Sequence, residues 1–358
     1  MKNLLVLIPE TSLIKYFVYR YNEMSSSKKN GDEKLIYKGK VKFISADISN
    51  DEINKLLTNF NPDLIAIRVL YGGNDLRETE FYDSSIHKEI EKLITKSPLH
   101  ISIVLKLLKF LDKSIPRREI LLFFETAFFI NLPVQEQLYA LDTSLINANI
   151  RRFGYHGLFH RAGIERINKE NRDASKIISI CLEPVPEIAA IYNDKPVMVT
   201  SGSTPLEGIP GNTNSGEIDP GIILQLEAKK RLGPEMINEI LTKKSGLSAI
   251  VGKSVSIGNI LSNGNRYEPA KAIFQYHILL SCGSCIAVMN GVDAVVFSGK
   301  YIDAARNLAE WLIPRLVAAG TQKIVPKLFY LQEALSQIIA HRALSYFENV
   351  NNYPPSKL

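Results

Sequence analysis

Two strand-turn-strand patterns, set about half a chain apart, constrain the fold of this sequence more than any other feature. The first runs through residues 4–8 and returns through residues 14–19; the second uses residues 177–182 and 188–192. Each run is apolar, of strand length, rich in Ile and Val, and bounded by turn-forming residues, which is typical of a β-hairpin. We therefore predict two related halves, each built on a hairpin.

Further strand-like and helix-like segments follow each hairpin. Strand-like runs lie at residues 64–70, 119–124 and 293–298, and the last of them follows a helix-like stretch at residues 268–289. This alternation predicts an α/β fold in which helices cover both faces of mixed sheets. The chain of 358 residues also exceeds the size at which a single core usually keeps growing, so we expect two domains.

Composition restricts the classes of function. Apolar content of 46% and charged content of 22% are typical of a soluble globular protein. The net charge of +6 is spread along the chain, without a run of Lys and Arg interleaved with stacking aromatic residues, so we expect no nucleic-acid partner. The apolar run at residues 4–8 is too short for a signal peptide or a membrane span, so we expect a cytoplasmic protein without a membrane partner.

Cysteine usage points to the same compartment. The 3 cysteines are too few for a disulfide framework and indicate a reducing environment. Cys282 and Cys285 form a CxxC pattern inside an apolar stretch, without a second such pair. We therefore predict neither a redox nor a metal role for them.

The most informative motif is residues 151–161, which read Arg-Arg-Phe-Gly-Tyr-His-Gly-Leu-Phe-His-Arg. This run resembles the Arg-Arg-Tyr-Gly-Phe-His-Gly-Thr-Ser-His motif of the acetate kinase family. Further segments resemble motifs of that family and occur in the same order along the chain: residues 67–73, 97–100, 124–128, 204–208, 215–220 and 290–294. The resemblance covers nearly the whole chain.

The resemblance implies a fold and a domain layout. The fold is the actin-like ATPase architecture, an α/β fold with two duplicated ribonuclease-H-like domains and a central interdomain cleft, where ATP and a small carboxylate meet. We expect residues 1–148, completed by a C-terminal helix at residues 335–358, to form the first domain. Residues 149–334 then form the second, which in the family carries the nucleotide and the dimer contacts.

The resemblance also implies a reaction and the residues that serve it. The family converts ATP and acetate to ADP and acetyl phosphate with ATP and Mg²⁺ as cofactors, and it forms homodimers. Catalytic roles fall on Arg68, Glu125 and His156, and the lining of a small-carboxylate pocket on Leu70, Leu99, Tyr155 and Pro205. Weaker matches are Ser12 and His160 as phosphate-adjacent or structural residues, Gly299 as a nucleotide-binding glycine, and Glu333 as a metal-linked carboxylate.

Both turns that hold phosphate in the family are altered here. In the first turn Pro9 has no N–H to donate, and Glu10 adds negative charge. In the second turn residues 183–187 read Glu-Pro-Val-Pro-Glu, where the family has Gly-Asn-Gly-Ala-Ser. We expect both glutamates of the second turn to face the phosphate and to repel it by roughly 3 kcal/mol for each charge pair about 5 Å apart.

Other family motifs are changed as well. Asn214 stands where the family has its second catalytic arginine and is too short to clamp a phosphoryl group. Glu125 stands where the family has Asp, which moves the carboxylate by one methylene. The adenosine segment at residues 254–258 and the nucleotide loop at residues 299–304 keep few of the family's residues. These changes predict a retained fold with impaired phosphoryl transfer.

The carboxylate pocket is the exception, because its lining stays apolar and Arg68 can pair a carboxylate. The alternative is that the lining residues only pack the interdomain core. His156 and His160 lack the glutamate of a zinc-binding HExxH motif, so we interpret both as neutral imidazoles satisfied by nearby backbone.

Two other functions stay open at this point. One is an active carboxylate kinase that uses Glu125, Lys253 and Lys300 around a shifted nucleotide. The other is a structural protein that has kept the family's oligomeric contacts without a ligand.

Overall fold

The computed structural model describes residues 1–10, 12–22, 33–42, 50–76, 79–95, 98–116, 118–142, 150–171, 173–319 and 325–352. Contacts divide the chain into two compact units, one formed by Met1–Ala127 with Ala334–Leu358 and the other by Phe128–Glu333. The boundary falls inside the 3₁₀ turn Glu125–Phe129, which directly follows a strand.

The described part of the first unit contains strands β1 Lys2–Pro9, β2 Leu13–Tyr21, β3 Lys34–Lys42, β4 Leu64–Val69, β5 Glu80–Phe81 and β6 Glu119–Phe124, and helices α1 Asn50–Phe60, α2 Ser84–Lys92, α3 Pro98–Ser114 and α12 Leu335–Asn352. The second unit contains helices α4 Val134–Gln137, α5 Gly157–Glu170, α6 Pro220–Lys230, α7 Pro234–Lys243, α8 Gly246–Val251, α9 Ile257–Ser262, α10 Ala270–Met289 and α11 Ala305–Ala319. Its strands are β7 Lys176–Cys181, β8 Glu187–Tyr192, β9 Lys195–Val199, β10 Ala294–Ser298 and β11 Lys327–Tyr330. Residues 353–358, the end of the expected C-terminal helix, lie outside the described residues.

The sheet of the first unit has the order β3-β2-β1-β4-β6-β5. Strands β1 and β2 form an antiparallel hairpin, and β1, β4 and β6 run parallel. Strands β1 and β4 read as continuous apolar runs because a parallel strand in the middle of a sheet is covered on both faces. Leu5 and Leu7 pack with residues of α1 and α3, whereas α12 packs on β1 and β4. The hydroxyl of Tyr19, in β2, donates to Ser336 Oγ of α12 at 2.9 Å.

The sheet of the second unit has the order β11-β10-β7-β8-β9. Strands β7, β8 and β9 are antiparallel to their neighbours in turn, and β7, β10 and β11 run parallel. Followed from one edge to the other, the strand order β9-β8-β7-β10-β11 matches β3-β2-β1-β4-β6 of the first unit, and the strands also run in matching directions. The predicted mixed sheets and the two related halves are therefore confirmed.

Helix α10 is the one helix in the described ranges that is long and apolar enough to cross a membrane by length and composition. It contributes Phe274, Ile278, Cys282 and Cys285 to the core of the second unit and packs against β8 and α11. Both cysteines are fully buried and free. Burial raises the pKa of the Cys285 thiol to about 12, so this group is a thiol at neutral pH.

Candidate active site

The residues assigned to the site are divided between the two units. The first unit holds Ser12, Arg68, Leu70 and Glu125, and the second holds Tyr155, His156, His160, Pro205, Gly299 and Glu333. Leu99 belongs to the first turn of α3, and its side chain lies outside the described residues.

Arg68 and Glu125 form a buried ion pair in the first unit. They come from the neighbouring parallel strand β4 and from the turn that follows β6. Arg68 Nε donates to Glu125 Oε1 at 2.6 Å, and the side-chain exposures are 11% and 0%. The expectation that Arg68 pairs a carboxylate ligand stays a prediction, with its Nε already bonded to Glu125.

His100 fixes the chain beside Arg68. The N–H of Leu70 donates to His100 Nε2 at 2.8 Å, so this ring nitrogen carries no proton. Burial and the positive charge of Arg68 lower the pKa of His100 to about 3, which keeps the imidazole neutral. Sequence reasoning placed His100 in a motif but gave it no role. The signal was present, since a histidine on the apolar face of a helix needs a polar partner.

The turn that follows β4 also makes a hydrogen bond to the turn that follows β6. The N–H of Gly72 donates to Thr126 Oγ1 at 2.9 Å. A Cβ at Gly72 would lie 2.7 Å from the carbonyl oxygen of Leu76, so no larger residue fits there. The position of Arg68 thus depends on a turn tied to both the β6 turn and helix α3.

The first phosphate turn of the family is a short hairpin turn in this chain. The N–H of Glu10 donates to the Leu13 carbonyl at 2.8 Å, and the Glu10 carboxylate pairs with Lys15. The charge of Glu10 is therefore offset within the hairpin. The Ser12 side chain is exposed, and Thr11 lies outside the described residues.

In the second unit, the start of the 151–161 motif is packed into the core. The Arg151 guanidinium is buried, donates to the Phe129 carbonyl at 2.9 Å, and lies 4.8 Å from the Phe153 ring centroid. The Phe129 ring also covers Gly154 so closely that a Cβ has no room there. These residues hold the loop that leads into α5.

Glu187 is fully buried beneath the same loop. Its carboxylate accepts the N–H of Tyr155 at 2.8 Å and the N–H of His156 at 2.9 Å, and His160 Nε2 lies 3.1 Å away. Burial alone would raise the pKa of Glu187, but the hydrogen bond from His160, the nearby imidazoles and the Ser201 side chain lower it to about 2. The expectation that Glu187 faces a phosphate is therefore wrong. Its carboxylate instead accepts hydrogen bonds inside the unit, at the N-terminal end of α5.

His160 connects Glu187 to a second buried side chain. Its Nδ1 lies 2.7 Å from Ser179 Oγ, so Ser179, His160 and Glu187 form a chain with the residue types of a hydrolase triad. All three side chains have 0% exposure, so no substrate reaches the Ser179 hydroxyl. The chain is structural. The expectation that backbone satisfies His160 is wrong, because its partners are side chains.

The tip of the second hairpin is tied to three surrounding segments. The Val185 carbonyl lies 2.9 Å from His156 Nε2, and the Pro184 carbonyl accepts the Asn212 N–H at 2.8 Å. Glu183 Oε1 accepts the backbone N–H of Lys300 at 2.6 Å. The donors that could bind a phosphate at this turn are thus already hydrogen-bonded to the hairpin.

The segments that match the family's nucleotide pocket pack on one another. Gly258 stands where the family has an arginine, and a Cβ there would lie 3.0 Å from Tyr301 Cδ1. The Tyr301 hydroxyl accepts from Asn212 Nδ2 at 2.8 Å. Gly299 has φ +95°, and a Cβ there would lie 2.9 Å from the backbone of Leu182. Gly299 thus has a packing reason to be glycine.

Asn214 and Tyr155 are also buried. Asn214 is only 5% exposed, and neither polar atom of its amide has a hydrogen-bond partner in the described part of the chain. The Tyr155 hydroxyl donates to the Ser203 carbonyl at 2.6 Å. The remaining part of this side chain is the apolar ring. Pro205 follows in the next loop and is half-buried.

The carboxylates present do not fit a Mg²⁺ site. Glu333 is exposed, and no group of three or more His, Cys, Asp or Glu side chains in the described ranges is placed to hold a metal. Glu125 is fully buried and already paired with a cation. A hard cation that needs several oxygen ligands therefore has no preformed cluster among these residues.

The sequence was compared with models of known protein families and with known proteins. The model of the acetokinase family matches residues 9–341. The chain belongs to the acetokinase family. It is 32% identical over 267 residues to the acetate kinase of Porphyromonas gingivalis, covering 72% of this chain and 67% of that one. It is 32% identical over 285 residues to the acetate kinase of Halothermothrix orenii, covering 77% and 72%.

Solved structures of this family confirm the predicted actin-like fold. A crystal structure of Porphyromonas gingivalis acetate kinase superposes with a TM-score of 0.79 at 23% identity, covering 97% of this chain and 100% of that one. A propionate kinase structure from Francisella tularensis gives 0.78 at 20% identity, covering 96% and 99%. At this level of identity the two structures establish the fold alone.

We predict that His100 makes stability fall as the pH drops below its ordinary pKa of 6.5. The unfolded chain takes up a proton there while the folded chain, with a pKa of about 3, does not. This difference costs about 1.4 kcal/mol per pH unit. His100→Gln keeps an acceptor for Leu70 without titrating, so its unfolding free energy should fall less steeply. Urea unfolding at neutral and mildly acidic pH measures this, and equal slopes would contradict it.

We predict that Glu187→Gln destabilises the second unit by about 3 kcal/mol, because it leaves His160 and two backbone donors around a weaker acceptor. The matched control is Glu183→Gln, which alters a half-buried carboxylate with one backbone donor and should cost less than about 1 kcal/mol. Denaturant unfolding at pH 7 gives both values. Equal losses for the two variants would show that the buried network adds nothing.

Proposed function

We propose that this chain is a member of the acetokinase family that binds a small carboxylate and has lost efficient phosphoryl transfer. The observation that carries the proposal is the second hairpin, whose tip engages His156 Nε2 and the Lys300 N–H with its own acceptors. A phosphate needs those donors. It would have to displace internal hydrogen bonds before it could use them.

The energetic argument rests on how phosphoryl transfer is catalysed. The protein supplies preorganised donors and positive charge around the transferring group, and loss of one strong donor typically costs 10² to 10³ in rate. Here Asn214 replaces an arginine, and Pro184 and Pro186 have no N–H. Several losses of this size leave turnover close to background.

Arg68 supports the carboxylate part of the proposal. Its side chain is 11% exposed, and Glu125 holds it through Nε, which fixes the orientation of the guanidinium. An arginine fork suits a carboxylate ligand. The mostly buried setting strengthens such a charge-assisted hydrogen bond.

The alternative of an active kinase with rearranged ligands has less support. It needs Lys253 and Lys300 to reach a nucleotide phosphate. Instead, Lys253 Nζ lies 5.8 Å from the Tyr267 ring centroid and Lys300 Nζ lies 5.6 Å from that of Tyr301. Each ammonium group thus already has a cation–π contact with a tyrosine ring.

The expected result is no acetyl phosphate above background from the purified chain with ATP, magnesium and acetate, and no heat of binding with magnesium ATP at millimolar concentration. Short carboxylates should raise the thermal midpoint, because a ligand that binds only the folded state stabilises it. Calorimetry, a coupled activity assay and a thermal-shift series measure these three quantities.

The matched variants are Arg68→Ala, which should abolish the carboxylate shift, and Arg166→Ala, an exposed arginine paired with Glu170, which should preserve it. Acetyl phosphate formation or heat with nucleotide would instead support the active kinase. Absence of any carboxylate shift in the unaltered chain would support the purely structural protein.

We also propose that the chain is a homodimer in the cytoplasm. Helix α10 exposes an apolar stripe formed by Tyr276, Leu280 and Val288, which are 57%, 50% and 56% exposed, with the exposed Ser284 between the last two. Exposed apolar side chains grouped on one helix are a common feature of subunit interfaces. The cytoplasm is supported by the three free, buried cysteines.

We predict that Leu280→Glu dissociates the dimer, because it places a charge in the centre of the α10 stripe. Light scattering during size-exclusion chromatography should give the mass of one chain for this variant and of two for the unaltered protein. Val134→Glu, at a residue 65% exposed in α4, is the matched control and should stay dimeric. A monomeric unaltered chain would end this proposal.

A further inference from the structure

Strand β3 forms one edge of the sheet in the first unit. Among the described residues β3 pairs only with β2, and no other described strand pairs with the backbone N–H and C=O groups on its outer side. Of its side chains only Val41 is buried. An exposed strand edge of this length is a template for pairing with another strand.

The C-terminal half of β3 carries a row of lysines on one face. Lys38, Lys40 and Lys42 alternate along the strand and therefore point to the same side of the sheet. Lys15 of β2 is the direct cross-strand partner of Lys40 and points to that side as well. Like charges directly opposite each other are destabilising. The Glu10 carboxylate offsets one of them by pairing with Lys15.

The other face of the same segment is aromatic. Tyr37 is 47% exposed, and its ring lies 6.0 Å from that of Tyr16 and 5.1 Å from that of Phe60. An added strand would place alternate side chains against the lysine row and the intervening ones against Tyr37. The edge therefore has a two-sided character, cationic on one face and aromatic on the other.

This pattern excludes one occupant and fits another. A second copy of β3 would bring lysines against lysines, which natural edge strands use to prevent self-pairing. A strand with acidic residues at alternate positions would place the Cβ atom of each acidic residue about 5 Å from that of the opposite lysine, close enough for the two charges to attract. Backbone hydrogen bonds along the edge would supply the remaining affinity.

We propose that β3 is a docking strand for an extended segment of a partner protein in which acidic and apolar residues alternate. The segment adds to the sheet beside β3, with its carboxylates on Lys38, Lys40 and Lys42 and an apolar residue on Tyr37. The site is independent of the carboxylate and nucleotide chemistry described above, so neither proposal depends on the other.

The test measures binding of a fluorescent nine-residue peptide, the length of β3, that alternates glutamate and valine. Anisotropy titration of the full chain should show saturable binding that weakens with salt. The variant Lys38→Glu/Lys40→Glu/Lys42→Glu should bind at least about tenfold more weakly, because each attractive cross-strand pair becomes repulsive. The control Lys195→Glu/Lys229→Glu/Lys230→Glu changes the net charge equally on the second unit and should bind as the unaltered chain does.

A second peptide separates strand addition from charge attraction. N-methylation of alternate amides removes backbone donors but keeps every carboxylate, and this peptide should bind at least about tenfold more weakly. Amide hydrogen exchange of β3 should slow in the complex with the unmodified peptide. No saturable binding would overturn the proposal. Equal binding of the N-methylated peptide, or tighter binding of a single-stranded oligonucleotide, would also overturn it and would assign the lysine row to a polyanion.

Discussion

The buried carboxylate of Glu187 organises the site of the second unit. A carboxylate with no exposure is stable only when donors surround it, and here the donors are the N–H groups of Tyr155 and His156 and the imidazole of His160. The positive end of helix α5 adds to this stabilisation, because the carboxylate lies at the start of the helix. The position of the 151–161 motif thus depends on one charge in the hairpin beneath it.

The same interaction determines what the hairpin can bind. With Glu187 held inside, the preceding residues turn back on the unit, and their acceptors meet the donors of His156, Asn212 and Lys300. A phosphate would have to compete with hydrogen bonds that are already made and preorganised. A nucleotide phosphate placed at this turn would therefore first have to break these hydrogen bonds, which costs free energy.

The fold could be predicted from the sequence because its signals are local. Apolar runs of strand length marked both hairpins, and the structure places strands at Lys2–Pro9 and Lys176–Cys181 close to the expected positions. The site was only partly predictable. The sequence predicts that Glu187, at the end of a turn, faces outward, but it begins an apolar strand and its carboxylate contacts His160, a residue distant in sequence. Which charges pair across elements depends on tertiary geometry that no local pattern contains.

Arg68 and Glu125 show the same physical effect in the first unit. By resemblance to the family, a glutamate stands for a shorter aspartate at position 125 and for a serine at position 187. In both places the longer side chain reaches a basic partner within its own unit, Arg68 in one case and His160 in the other. Desolvation favours such internal pairs, since a buried carboxylate without a partner is costly. In both halves of this molecule the glutamate side chain is therefore part of a buried contact that holds two elements of its own unit together.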